Sequence, residues 1–283
     1  MLAHYNLVSN VAQSYHLGTL QPPSEPPPAQ RWLGVLPMYH AAGAMVSILL
    51  ASKFAATVYL MQNFDFEVFL RTIQTQRITN LQLAPPIVVL LQKDPRVKKH
   101  DLSSVTALSC GAAPLSGELQ NEVSGRFKAP IGQAWGMTEL TCTGMSVPSG
   151  TFDDTGSVGA PMPNCEVKLV DEDGKEVALG DRGEIYFRGP TVCCGYWKNE
   201  KATRETITED GWLKTGDIAI ADEKGWFWIV DRLKVRPFCQ NPPNFPPPIP
   251  GFTIISTSRS ASLNAYTLFT GTHQGLSLAS RPR

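Results

Sequence analysis

No stretch of this sequence interleaves basic residues with aromatics, and its Lys+Arg count of 25 equals its Asp+Glu count of 25. A chain with no net charge and no basic stripe is not built to hold nucleic acid, so none is expected as a partner. A membrane span is lacking as well. The most apolar run, Ala41 to Leu60, is interrupted by Lys53 and reads as a buried helix followed by a strand. The first residues hold no charged segment followed by an apolar one, so no secretory signal is expected. Cys-x-x-Cys pairs are missing too. The six cysteines are scattered, with only Cys193 and Cys194 adjacent. Buried, reduced thiols in an intracellular compartment are expected rather than zinc or disulfides.

What is present is ample core-forming material: hydrophobic residues make up 42% of 283 residues, enough for one large domain or two ordinary ones. Strand-like and helix-like runs alternate. Trp32 to Leu36, Ala56 to Met61, Ile78 to Leu83 and Val105 to Ser109 read as strands. Ala41 to Ser52 reads as a buried helix. Phe66 to Gln76 reads as an amphipathic one, with Phe66, Phe69, Leu70 and Ile73 on one face. Pro86 opens a further helix, and Ser116 caps the one that carries Leu119 and Val123. Such alternation predicts an α/β fold: a mainly parallel sheet flanked by helices.

From about Ser157 the texture changes to short β-rich runs, Val167–Val170, Gly183–Arg188 and Trp226–Val230, punctuated by turn residues. The expected organisation is therefore an α/β part over residues 1–156, a small β subdomain over 157–230, a short link over 231–236, and a tail over 237–283. Prolines crowd that tail and the segment Gln21 to Ala29. The first is expected to be disordered and the second to be a surface loop.

Four short constellations carry chemistry. Gly111, Ala112, Ala113 and Pro114 follow a strand and precede a helix, where small residues let a ligand approach the backbone. The same residues also suit an ordinary strand-to-helix turn. Trp135-Gly-Met-Thr-Glu139 sets an indole able to stack on a planar base beside a hydroxyl and a carboxylate. Thr138 suits a phosphate oxygen and Glu139 suits magnesium. Equally, Trp135 suits a core position, with Thr138 as a helix N-cap. Asp217, after Gly216, suits the two hydroxyls of a ribose, and Arg232 offers donors to ribose or phosphate oxygens.

These segments occur in order together with Leu36-Pro-Met-Tyr-His40, Gly156-Ser-Val-Gly-Ala-Pro161, Arg182-Gly-Glu-Ile185, Gly195-Tyr-Trp-Lys-Asn199 and Asp231-Arg-Leu-Lys234. The set strongly resembles the adenylate-forming superfamily, within it the acyl-CoA ligases of the 4-coumarate-CoA ligase and luciferase-like branch, over residues 1 to about 234. The resemblance implies part of the N-terminal domain of an enzyme that activates a carboxylic acid, aryl or medium-chain acyl, with ATP and Mg²⁺, and then forms a thioester with coenzyme A. It implies that Gly111 to Pro114 pack against adenine and that Trp135, where many relatives carry Tyr, stacks on it beside Gly136. Thr138 would bond the α-phosphate and Glu139 the Mg²⁺; Asp217 and Arg232 would hold the ribose. His40 and Met137 would line the acyl pocket, His40 near the reacting carboxylate, although a core-edge histidine and a packing methionine fit the same positions. Lys234 would be the hinge, within a hinge remnant over 231–236. A cytoplasmic or a peroxisomal setting fits equally.

Two departures from the family pattern stand out. The Ser/Thr/Gly-rich phosphate loop expected before Met1-Leu-Ala-His4 is absent. The text after Lys234 runs into Val235-Arg-Pro-Phe-Cys239 instead of a domain carrying a catalytic lysine, as a translated intron would. The chain is therefore expected to be truncated at both ends. The alternatives to a ligase are an inactive fragment that binds nucleotide or a protein, and a luciferase-like enzyme that adenylates without coenzyme A.

Overall fold

Each of the early strands is reached by a helical crossover, and crossovers make neighbours parallel. The computed structural model describes residues 1–20, 30–111, 113 and 115–233, within one compact unit, Met1–Val235. Strands β1 (Arg31–Gly34), β2 (Thr57–Leu60), β3 (Asn80–Leu83), β4 (Ala107–Cys110), β5 (Ile131–Gly136), β6 (Thr143–Ser146) and β7 (Ala160–Pro161) form one sheet in the order β2-β1-β3-β4-β5-β6-β7. The first five pair in parallel, and β6 and β7 pair antiparallel. A second sheet, β11-β10-β9-β8, is an antiparallel meander of β8 (Glu166–Val170), β9 (Gly183–Arg188), β10 (Leu213–Ala221) and β11 (Phe227–Arg232). The expected fold class, a mainly parallel sheet with helices and a small β-rich part, is what the chain adopts. Residues on either side of 157 are joined: β7 pairs with β6 through Met145–Pro161 and Ser146–Ala160. Phe227 of β11 exchanges backbone hydrogen bonds with Val158 and Gly159. Segment 21–29, Ala112, Pro114, residues 234–236 of the expected hinge with Lys234 among them, and the tail 237–283 lie outside the described residues.

The helices show which sequence signals carried. α1 is His4–Gly18 and α2 the single turn Ala51–Lys53. α3 (Phe66–Gln76) buries Phe66, Phe69, Leu70 and Ile73 as its periodicity predicts. Asp65 caps it by accepting from the Val68 N–H at 2.8 Å. α4 is Pro85–Lys93, with proline in its first turn where no N–H is needed. α5 (Gly117–Phe127) is capped by Ser116, whose Oγ accepts from the Leu119 N–H at 3.3 Å. α6 is Glu200–Thr206.

The segment expected as one buried helix over 41–52 is different. Gly43–Leu50 winds more widely than an α-helix, with hydrogen bonds one residue longer, before α2 continues it. Met45, Ser47 and Ala51 are buried, but Ile48 and Leu49 face solvent. The run is apolar on all sides, so no stripe fixes a 3.6-residue period or names the buried face.

α1 packs in an unusual way. Its buried face carries amides: Asn6, Asn10 and Gln13 are each 5% exposed or less. Asn6 donates to the carbonyls of Pro190 and Val192 at 2.8 and 2.9 Å. Asn10 donates to the Thr143 carbonyl at 2.7 Å, and Gln13 donates to the Pro163 carbonyl. Three loop or strand-edge segments are thus held by one helix face, each amide meeting half-buried backbone. Two apolar clusters fill the rest. One gathers Leu33, Phe69, Leu81, Val88, Leu108 and Ile131 around the parallel strands and α3 to α5. The other gathers Trp135, Leu140, Met145, Ile185, Phe187 and Leu213 around β5, β6 and the meander.

The five cysteines among the described residues are all free. Burial raises the Cys110 thiol to about 12, which keeps it protonated and inert. The expectation of buried thiols fails at Cys194, which is exposed.

Candidate functional site

β4 and β5 are parallel neighbours, so the segments leaving their carboxyl ends emerge together at one edge of the sheet. Gly111 stands at the end of β4, and a Cβ there would lie 3.3 Å from the carbonyl of Ala134 on β5. Ala113 comes two residues later, half-buried. This brings the described part of the Gly111 to Pro114 constellation beside the Trp135 to Glu139 constellation. The turn between them is braced from below. Gln133 donates to the Leu115 carbonyl at 2.9 Å and to Gln120 at 2.7 Å, and Gln120 donates to the backbone carbonyl of Asp153. Gln120 and Gln133 are 0% and 3% exposed. Their polar network was not anticipated, although a glutamine on the inward face of a strand, between Ile131 and Trp135, is its signal.

Gly136 ends β5 where a side chain is excluded. A Cβ would overlap the carbonyl of Cys142 across the reversal into β6. That close approach folds 138–140 into a tight turn of 3₁₀ type, with Thr141 at φ 71° completing it. Thr138 is exposed at its tip and Glu139 is half-buried. The Tyr196 hydroxyl donates to Glu139 Oε1 at 2.7 Å, and the Cys193 N–H donates to the Glu139 carbonyl at 2.8 Å. Burial, with Glu139 beside it, pushes the Tyr196 phenol well above its ordinary range, so it remains the donor. Tyr196 belongs to a motif noted in the sequence, but nothing local there links it to a residue 57 positions away.

With Met137 at the N-cap of the 3₁₀ turn and Thr138 inside it, Thr138 does not serve as the expected cap, but Trp135 takes the core position of that alternative. Its ring is 7% exposed and tilts against Phe187 at 6.2 Å, in the second apolar cluster. Its Nε1 donates to Asp217 Oδ2 at 2.9 Å. Asp217, on β10 opposite Arg232 on β11, forms an ion pair through its other oxygen with Arg232 Nε at 3.2 Å. The backbone turns just before Asp217: Gly216 has φ 74° at a bulge in β10, and its N–H donates to Glu184 at 2.9 Å. Burial raises the Glu184 carboxyl above its ordinary range, against the effect of that bond.

The remaining expected residues are placed less tightly. His40 is exposed in the turn after β1, and its Nδ1 accepts from the Ala42 N–H at 3.2 Å. β1 is separated from β4 by β3 alone, with all three parallel, so His40 emerges at the same edge of the sheet. The core-edge alternative for His40 does not fit its exposure. Met137 is half-buried and packs on the second apolar cluster. Two open grooves of about 540 and 640 Å³ lie elsewhere, one at β2 and α3 and one at α1, so neither is this site.

The donor set fits a magnesium ion only in part from the protein. Among the described residues no group of three or more His, Cys, Asp or Glu side chains converges. One carboxylate is nonetheless what Mg²⁺ takes when phosphate oxygens and water complete its octahedron. Glu139, with Oε1 fixed by Tyr196, is suited to that single place.

A family model described as AMP-binding enzyme matches residues 1–197. A probable 4-coumarate–CoA ligase 3 of Dictyostelium discoideum is 40% identical over 236 residues, 82% of this chain and 42% of the relative. A luciferin 4-monooxygenase of Luciola mingrelica is 40% identical over 73% of this chain and 38% of its own length. ATP-bound MatB from Rhodopseudomonas palustris superposes with a TM-score of 0.73 at 30% identity, over 82% of this chain and 44% of that one. The chain spans about two-fifths of the length of these relatives.

Proposed function

This chain belongs to the AMP-binding enzyme family, and from that premise we propose that it forms the adenosine-binding face of an ATP-dependent acid–thiol ligase. The observation that carries the reading is the buried junction of Trp135 with Asp217, capped by Arg232, next to the Thr138–Glu139 turn. A flat ring, a carboxylate fit for a ribose diol, a phosphate-binding hydroxyl and a magnesium carboxylate are what an adenylating site requires of this wall. The whole reaction joins a carboxylic acid, aryl or medium-chain acyl, to the α-phosphate of ATP with loss of pyrophosphate. Coenzyme A thiol then displaces AMP.

The residues here act by placement and by field. Asp217 and Trp135 fix the sugar and base, which sets the α-phosphate over Thr138; holding two reactants in line removes much of the entropic barrier. The Thr138 hydroxyl donates to a phosphate oxygen as its charge grows. Glu139 would hold magnesium, which when bound would supply charge neutralisation on the phosphates. Gly111 and Ala113 would border the base, and His40 and Met137 would border the acid at the same sheet edge.

The 40% identity to a luciferin 4-monooxygenase supports a second reading, adenylation of an acid without thioester formation. The deciding measurement pairs AMP titration by calorimetry with pyrophosphate release over a panel of carboxylates, with and without coenzyme A. Asp217→Ala is expected to lower AMP affinity at least about tenfold, the worth of a hydrogen bond to a charged group. Unchanged affinity overturns the placement of adenosine. Acyl-adenylate that accumulates unaltered by coenzyme A favours the second reading over the first.

A further inference from the structure

Asp217 uses its two oxygens differently. Oδ2 takes the Trp135 indole N–H at 2.9 Å, and donor and acceptor residues are 7% and 9% exposed. Oδ1 makes only an ion pair with Arg232 Nε at 3.2 Å, and the Arg232 side chain is 62% exposed. One partner is locked in the core and carries the ring's only donor. The other is a solvent-facing cation, whose pairing is weak and readily exchanged. We propose that Trp135 is a positioning residue for sugar recognition, its N–H holding the Asp217 carboxylate in the orientation that accepts a ribose diol at the oxygen Arg232 covers.

The assignment rests on the adenosine-binding reading above and adds to it. A stacking ring alone has no need of an N–H, and a phenylalanine would stack as well. The indole ties the base wall on β5 to the sugar acceptor on β10, across 82 residues of sequence. The carboxylate's own backbone restrains it less, since it follows Gly216 at a bulge. Without the indole bond, Oδ2 keeps no partner among the described residues and the carboxylate turns toward Arg232 and water. Discrimination for the diol should then fall even where the base still stacks.

The test compares AMP with 2′,3′-dideoxy-AMP on the full chain and its Trp135→Phe variant, by calorimetry. The full chain should prefer AMP by at least about tenfold, and Trp135→Phe should cut that preference to about threefold or less while dideoxy-AMP affinity changes little. The free protein supplies a second readout. Of the indole N–H resonances of its six tryptophans, the one missing in Trp135→Phe should be protected from solvent exchange and should shift in Asp217→Ala. The other resonances, left in place, show that each variant is folded. A Trp135→Phe chain that keeps the full diol preference overturns the assignment and leaves the adenosine site standing. A parent chain that binds neither nucleotide overturns both.

Discussion

α1 and α3 are helices of similar length that dock on the same unit by opposite chemistry. α3 presents Phe66, Phe69, Leu70 and Ile73 to hydrocarbon. α1 presents Asn6, Asn10 and Gln13 to backbone carbonyls. Apolar packing is tolerant of direction and is worth about 25 cal/mol per Å² buried. Amide-to-carbonyl docking adds little net energy per bond, yet it penalises any misplacement because an unpaired buried group is costly. One helix therefore supplies adhesion and the other supplies register. Register is what the candidate site needs, because Pro190 and Val192, which Asn6 holds, lead directly to Cys193 and Tyr196 on Glu139.

The contrast is easiest to break at its strongest point. Phe69 is fully buried and packs on Phe64 and Phe66 at ring distances of 5.7 and 5.9 Å. Phe69→Ala should cost about 3–5 kcal/mol in urea denaturation, the usual penalty of an aromatic cavity. A loss under about 1 kcal/mol would show that α3 is not held by its apolar face. Next is Asn10→Leu, which offers α1 a side chain of similar size but no hydrogen bond. The Thr143 carbonyl, and its N–H now 3.4 Å from Asn10 Oδ1, would be stranded, so a loss of about 1–3 kcal/mol is expected. If leucine proves neutral, the α1 seat is hydrophobic after all and the distinction collapses.

Smaller changes test the helix ends. Asp65→Ala removes the side-chain cap of α3 and should lower stability by about 1 kcal/mol. The N-cap of α1 is Ala3, which has no capping oxygen; its N–H is instead met by Asn6 Oδ1 at 2.8 Å. Ala3→Ser should therefore raise the melting midpoint slightly, by about 0.5 kcal/mol of stability. A destabilised Ala3→Ser would indicate that Asn6 already exhausts what that end can accept.

How far the sequence could be read tracks the same divide. Phe66 to Gln76 was legible to the residue because burial there is a matter of apolar spacing, and Gly183–Arg188 was legible because a strand with one dry face must alternate. The amide face of α1 was not, since spacing alone does not say which polar residues face inward. Gln120, Gln133 and Tyr196 escaped for a related reason. Their partners lie 13 to 57 positions away, and a hydrogen bond leaves no periodic trace. The candidate site was half visible. Trp135 and Asp217 were each singled out, but their hydrogen bond needs β5 of one sheet to meet β10 of the other, which no local pattern encodes. The winding of Gly43–Leu50 was hidden by uniform apolarity.

The amide face of α1 has a consequence for how this chain emerges from a ribosome. Its partners at Thr143, Pro163 and Pro190 are translated 133 to 184 residues after it. At about 5–20 residues per second, the helix waits on the order of ten seconds or more for its seat to exist. A helix with a greasy face would spend that interval as a target for aggregation or chaperone capture. A helix whose face is asparagine and glutamine stays wetted by water, then trades each water for a carbonyl when the seat arrives.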